Sequence, residues 1–249
     1  VRLGVVALPV VVAGAGDVPS SAVGSGALRV GEGHASIGTS GWVGIISPGA
    51  PTGKSGVAAI QSADPRHCLL VAEMETASAC RDWMANCFFP LESAKGPSSE
   101  LRSHQDKEIE SVPPGAQGLI FTPWLCGERS PVADVSVRSS FINLSIHHRR
   151  PHFLRAVCEG VAYNVRWTTE ILDRQIGFPL ETLRTVGGGA RSLTWMQILA
   201  DVTGKRVEVV KHPQEAGAVG AACVAAVGMG IYPNFDALKN VVGVAHTLL

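Results

Sequence analysis

Three places in this sequence carry residue types suited to chemistry: Asp17, the run Gly38-Thr39-Ser40-Gly41, and Gly187-Gly188-Gly189. Asp17 closes a glycine-bracketed turn, Gly14-Ala15-Gly16-Asp17. A carboxylate there suits capping a following helix or accepting the proton of a substrate hydroxyl within hydrogen-bond distance. The hydroxyls and glycines of 38–41 suit gripping a phosphoryl group through side-chain O–H and main-chain N–H groups, and they equally suit a plain hairpin turn. Gly-Thr-Ser-Gly is the wrong order for a G-x-S-x-G nucleophile elbow. The glycines of 187–189 each raise the entropic cost of ordering their turn. Either a flat or anionic ligand approaches the bare main chain where a helix offers N–H groups, or a tight connection needs the room.

Other motifs fall short. The stretch 187–192 reads Gly-Gly-Gly-Ala-Arg-Ser and fails the G-x-G-x-x-G dinucleotide fingerprint, which disfavours an NAD-dependent oxidoreductase. Residues 49–55, Gly-Ala-Pro-Thr-Gly-Lys-Ser, miss the Walker pattern because position 48 is proline, and Pro51 removes an N–H donor. They read as a surface turn. His147-His148-Arg149-Arg150 reads as a solvated loop, and Asn143-Leu144-Ser145 fits a glycosylation pattern that has no meaning in a cytosolic protein.

The elements that must position these residues follow from the patterning. The stretch 8–26 reads as a strand, a glycine turn and a short helix of small residues, and two strands flank 38–41. Cys68–Ala72 reads as a strand leading into a helix that carries Trp83 and Met84. The polar segment 91–116, with Pro113-Pro114, reads as a mobile loop or insertion. From Pro151 to Ile176, Leu154, Val157, Val161, Val165, Thr168 and Leu172 recur at helical spacing before Gly177. Thr182–Val186 is then a strand, Ser192 a helix cap, Arg206–Val210 a strand, and Glu215 opens a helix of small residues.

Composition bounds the rest. The 249 residues are 46% hydrophobic and 17% charged, with 21 basic against 21 acidic side chains. This fits one large or two smaller globular domains and argues against nucleic acid or an anionic membrane recognised by bulk charge. Six scattered cysteines without a C-x-x-C pair read as reduced thiols in a cytoplasmic setting. The apolar start imitates a secretory signal, but the chain does not begin with Met and Pro9 interrupts the run, so a buried strand is expected instead. Residues 216–232 are uncharged yet short for a membrane span and read as a tightly packed helix.

Taken in order, Asp17 after its glycine turn, "GTSGW", "FTPWLCGERSP", a long helix, "VGGGARSLTWMQILADVTGK" and "EAGAVGAA" resemble the FGGY carbohydrate kinases, and among them the xylulokinase-like branch, over roughly residues 9–235. The resemblance implies an α/β, ribonuclease-H-like domain of the actin/hexokinase superfamily, a mixed sheet flanked by helices. It implies residues 1–29 as the end of a first domain, 30–235 as the C-terminal nucleotide-binding domain and 236–249 as a tail. ATP-dependent phosphorylation of a sugar or polyol, a ketopentose such as xylulose first among them, is the implied activity, with Mg2+ accompanying ATP. A catalytically incomplete, nucleotide-binding or regulatory relative is the alternative.

By the same likeness Asp17 would be the base, and Gly38, Thr39 and Ser40 would face the outer phosphates. Gly187, Gly188, Gly189, Ala190 and Ser192 would lie against the adenosine and inner phosphates. Ala79 to Trp83 would border the nucleotide's other side, and the Glu128-Arg129 loop would face the interdomain cleft. None of these positions is a metal ligand. Two departures stand out: Asn143 where the family signature has glycine, and Cys158 where it has a larger apolar residue. The family's first half, with its D-x-G-T phosphate loop, magnesium site and most sugar contacts, does not occur in this sequence. The resemblance therefore implies a fragment or a naturally short relative, partnered by an N-terminal FGGY domain and exposing an apolar face that favours a homodimer.

Overall fold

The computed structural model describes residues 10–50, 56–88, 90 and 98–249. Strands β1 (Gly33–Ile37) and β2 (Gly41–Ser47) form the expected hairpin, registered from Gly33 opposite Ile45 to Ile37 opposite Gly41. Strands β3 (Ala58–Gln61) and β4 (Cys68–Met74) continue the antiparallel side. Helices α2 (Ser78–Phe88), α3 (Ser99–Glu110) and α4 (Arg150–Ile176) follow, with a small ribbon of β5 (Ile120–Phe121) and β6 (Phe141–Ile142) between the last two. Strand β7 (Thr182–Val186) then lies parallel to β1, and α5 (Leu193–Thr203) leads to the parallel β8 (Arg206–Val210). The sheet runs β3-β4-β2-β1-β7-β8-β9, with β9 (Val244–Leu248) on the far edge. Parallel neighbours need long crossovers, and these supply the helices.

Strand alternation sends Ala35, Ile37, Val43, Ile45, Leu183 and Val207 to one face, under α2, α4 and α5, where the main core forms. The six positions predicted to share one face of α4, five apolar and Thr168, are all buried. Pro151 sits in its first turn, and Gly177 ends it with φ 85°, where its N–H donates to the Asp173 carbonyl. Trp195 of α5 is 1% exposed and donates its indole N–H to the Cys158 carbonyl at 3.1 Å. Truncating such a side chain to Ala costs about 3–5 kcal/mol. Cys158 is an inert core thiol, pushed up to about 12 by burial.

The other face carries Ile46, Leu69 and Val71 and is covered by α1 (Asp17–Ser25) and α6 (Ala216–Gly228). These helices touch backbone to backbone. A Cβ on Gly24 would stand 1.7 Å from the Ala216 carbonyl oxygen, and one on Gly220 1.7 Å from that of Ser20. This contact explains why the second helix is built of small uncharged residues. Among the described residues, no helix is long and apolar enough to cross a membrane.

Several sequence readings are corrected. The described part of the expected first strand, 10–16, has no regular structure, and Val10 and Val11 are exposed; residues 1–9 lie outside the description. The supposed loop 91–116 contains α3, capped by Ser98 accepting from the Leu101 N–H. Its buried stripe is only Leu101, Gln105 and Ile109, too thin for apolar periodicity to reveal. The cluster 147–150 is a solvated loop at His147 and Arg149, as expected, and departs from that reading where it enters the long helix. His148 is 9% exposed and accepts from the Ser145 N–H, Arg149 is the N-cap of α4, and Arg150 pairs with Glu108 of α3. Residues 244–248 pair with β8 as an edge strand. The Walker-like stretch falls largely on 51–55, outside the described residues.

Candidate functional site

The β1–β2 turn, Gly38-Thr39-Ser40, is held from behind by the start of α2. The Ser78 N–H donates to the Gly38 carbonyl at 2.7 Å, and the Ala77 and Ala79 N–H groups donate to the Thr39 carbonyl at 2.9 and 3.2 Å. The Ser78 hydroxyl donates to the Ile37 carbonyl at 3.0 Å. Orphan N–H groups of a helix start are thus spent on fixing the hairpin main chain.

The glycine turn presses on the same place. Gly187 has φ 89° and ψ 172°, a conformation for glycine alone. A Cβ there would meet the Ile37 carbonyl carbon at 2.8 Å, and one on Gly189 would meet the Ile37 Cγ2 at 2.4 Å and the Ser78 Oγ at 2.8 Å. Two of the glycines are therefore bare so that the turn can lie on the hairpin. Gly188 is different: a Cβ there meets only the Gln214 Nε2, at 3.6 Å. Beside the turn opens a cavity of about 350 Å³, bordered by Ala190, Arg191, Lys211, His212 and Gln214. A second cavity, of about 520 Å³ near Glu32, Phe178 and Arg184, lies at the opposite ends of β1 and β7, away from the hairpin.

Ser192 caps α5, its Oγ accepting from the Trp195 N–H at 3.2 Å. The same hydroxyl donates to Asp106 of α3 at 2.7 Å, and that carboxylate oxygen also accepts from Arg81 of α2 at 2.8 Å. Arg81 is 1% exposed and makes a further bond to Gln105. Asp106 thereby braces the glycine-turn helix against the helix carrying Ala79 and Trp83, which share a face four residues apart. Ala79 is half-buried; Trp83 is 39% exposed and stacks on Phe121. The pairing of Arg81 with Asp106 escapes sequence reading because Asp106 lies in the polar segment 91–116, which reads as a loop.

Asp17 enters from the other layer. It is the first residue of α1, exposed, with Gly16 rather than Asp17 at the N-cap, and its carboxylate accepts from the Val18 N–H at 2.9 Å. Val18 and Trp42 pack on the same cluster of Ala22, Ile46, Leu69 and Val71, which puts the Asp17 turn and the residue after the hairpin on one side of the sheet. Trp42 donates its indole N–H to the Nε2 of His34 at 3.0 Å. His34 is fully buried and burial holds it down to about 4, so it is the neutral acceptor this bond requires.

The GERSP loop latches onto the β4–α2 connection. Arg129 pairs with Glu73 at 2.7 Å and with Glu75, and the Thr76 hydroxyl donates to the Pro123 carbonyl. Glu128 is 4% exposed and its carboxylate accepts from the N–H groups of Glu75 and Arg129, each at 2.9 Å, and from the Asn164 side chain at 2.9 Å. Burial pushes this carboxyl above the usual range. Asn143 adopts φ 63° and donates its side-chain amide to the Gly118 carbonyl at 3.1 Å.

A profile of the C-terminal domain of the FGGY family of carbohydrate kinases matches residues 33–229. The chain is 34% identical over 232 residues to a xylulose kinase of Lactococcus lactis, covering 92% of this chain and 44% of that protein. It is 31% identical to a gluconokinase of Bacillus licheniformis, covering 94% and 46%. The crystal structure of a xylulose kinase from Rhodospirillum rubrum superposes with a TM-score of 0.80 at 27% identity, over 94% of this chain and 46% of that one. A Plasmodium falciparum glycerol kinase solved with ADP shares the fold, with a TM-score of 0.78 at 22% identity, over 94% of this chain and 46% of that one. The chain thus spans less than half the length of these relatives. With its mixed sheet, its hairpin and the glycine turn lying on it, it belongs to the FGGY family of carbohydrate kinases and corresponds to their C-terminal domain.

Proposed function

We propose that this chain is the nucleotide-binding half of an ATP-dependent sugar or polyol kinase. One observation carries the reading: the hairpin 38–40, the start of α2 and the glycine turn 187–190 meet at Ile37, with Gly188 left open. Phosphoryl transfer needs positioning and charge neutralisation more than covalent help, and a rigid main-chain cradle supplies positioning. Gly38, Thr39 and Ser40 would hold the outer phosphates, and Gly187 to Ala190 with Ser192 would back the inner ones and the adenosine. Ala79 and Trp83 would form the facing wall, its spacing set by the Asp106 brace.

ATP supplies the phosphoryl group. Mg2+ would accompany the ATP phosphates. Asp17 would accept the proton of the attacking sugar hydroxyl as the new O–P bond forms and the bond to ADP breaks. The named relatives, xylulose kinases and gluconokinases, support a sugar or sugar acid as acceptor, with a ketopentose such as xylulose as the first candidate. Sugar contacts and closure of the site would come from an N-terminal FGGY domain.

The test is ADP release from MgATP over a panel of pentuloses, hexuloses, aldonates and polyols, for this chain alone and mixed with a family N-terminal half. Because Gly16 is the N-cap, Asp17→Asn removes only a first-turn charge, at a cost of about 0.3–1 kcal/mol. A fold-preserving loss of turnover in Asp17→Asn supports the base. Turnover equal to the unmodified protein contradicts it, and nucleotide binding without turnover in any pairing favours the incomplete, regulatory relative.

A further inference from the structure

We propose that Glu128 is the positioning residue of the hairpin, the buried anchor through which the GERSP loop fixes the β4–α2 connection and, across it, the main chain of residues 38–40. The proposal rests on the reading of that hairpin as the phosphate grip. The line of contact is continuous. Asn164 of the long helix α4 donates to one carboxylate oxygen of Glu128, and the other oxygen accepts from the Glu75 N–H. Two residues on, Ala77, Ser78 and Ala79 donate their N–H groups to the carbonyls of Gly38 and Thr39. The loop is locked to the same connection at both ends of that bond, by Arg129 on Glu73 and by Pro123, whose carbonyl accepts from the Thr76 hydroxyl and, at 3.7 Å, from the Cys80 thiol. Its own return is tied by paired main-chain bonds between Glu128 and Asp134, both 2.9 Å.

A space-filling role does not account for this side chain. A buried carboxylate carries a desolvation cost that an apolar residue of the same volume avoids. Here three donors converge on it, two of them main-chain N–H groups. Removing the carboxylate frees the Glu75 N–H and leaves the Asn164 amide only its 3.5 Å bond to the Ser130 carbonyl. A glutamine in its place retains an oxygen for the two N–H groups, and Asn164 can turn its amide to accept from the new NH2, giving up its long 3.5 Å bond to the Ser130 carbonyl. The position therefore separates fixing the connection from merely filling the space.

The experiment measures amide hydrogen exchange and MgADP affinity on the whole chain, unmodified and as Glu128→Ala, Glu128→Gln and Asn164→Ala, the last removing one bond should Glu128→Ala not fold. The expected result is local. Exchange at Ala77, Ser78 and Ala79 rises about tenfold or more in Glu128→Ala, the loss expected for a bond to a charged group, and rises in the same place, to a smaller extent, in Asn164→Ala. Exchange along β7 and β8 stays unchanged, MgADP binds about tenfold more weakly in Glu128→Ala, and Glu128→Gln restores both properties. Exchange that rises evenly across the sheet, a glutamine variant no better than the alanine one, or unchanged exchange at 77–79 overturns the proposal. Failure of the unmodified chain to bind MgADP overturns the phosphate-grip reading instead, and the exchange pattern still decides whether Glu128 fixes the hairpin.

Discussion

Gly188 and Gly187 are neighbours with opposite structural demands, and substituting each by Ala separates chain geometry from ligand approach. At Gly188 a Cβ meets one flexible atom at ordinary contact distance, and φ lies outside the left-handed region. Gly188→Ala should stabilise the fold by about 0.4–1 kcal/mol through the unfolded chain, raising Tm by roughly 1–4 °C for a chain of this length. At Gly187, φ 89° and ψ 172° admit glycine alone, and the new Cβ would press on the Ile37 and Gly38 main chain at 2.8 to 3.0 Å. Strain and overlap together cost about 3 kcal/mol or more, lowering Tm by at least roughly 6 °C. Differential scanning calorimetry gives the stabilities, and isothermal titration with MgADP the affinities. If the open side of Gly188 receives the nucleotide, Gly188→Ala binds about tenfold more weakly although it is more stable. Unchanged affinity in Gly188→Ala refutes ligand approach at this turn, and a Tm loss matching that of Gly187→Ala refutes the geometry.

Other perturbations follow from single side chains. The buried His34 has its folded-state value near 4 against 6.5 for the exposed group, so the unfolded chain binds more protons between those values and stability rises with pH across that window. Relative to neutral pH the loss is about 2 kcal/mol at pH 5 and approaches about 3 kcal/mol below pH 4. Urea titrations of the unmodified chain and His34→Gln should differ by that slope, whereas parallel pH profiles would refute it. Their difference isolates His34 from Glu128, whose raised carboxyl works in the opposite sense, adding stability as pH falls. At Asn143, φ 63° makes Asn143→Ala cost about 1–2 kcal/mol, while Asn143→Gly stays within about 0.5 kcal/mol. Equal urea midpoints for the alanine variant and the unmodified chain would remove the left-handed explanation.

The hairpin, the long helix and the β7–α5–β8 unit were legible because each is written in a local signal: a four-residue turn between apolar runs, a helical stripe closed by Gly177, and a serine cap after a glycine turn. Helix α3 was hidden by its polarity. Its job is to present Asp106 to Arg81 and Ser192, side chains about 25 and 86 residues away in sequence, and no local pattern records such pairings. The use of the glycines was half legible. Need for bare main chain follows from residue type, but only the packing on Ile37 separates Gly187 and Gly189, which serve the fold, from Gly188, which does not. Glu128 was visible as a motif member, while its partners Glu75 and Asn164 come together only through tertiary structure. The described end of the expected first strand is not a strand for the converse reason: an apolar run alone does not supply a neighbouring strand, and Val10 and Val11 stand exposed.

The central claim, that one nucleotide meets the hairpin, the start of α2 and the glycine turn together, is tested most directly by titrating MgADP into the isotopically labelled chain and mapping backbone amide shifts. The account predicts saturable shifts at Gly38 to Ser40, at Ala79 and Trp83, and at Gly188 to Ser192, sharing one affinity. The amides around Glu32, Phe178 and Arg184, at the opposite end of the sheet, should stay still. Shifts gathered at that opposite end, or shifts at the hairpin and the glycine turn with different affinities, would contradict it.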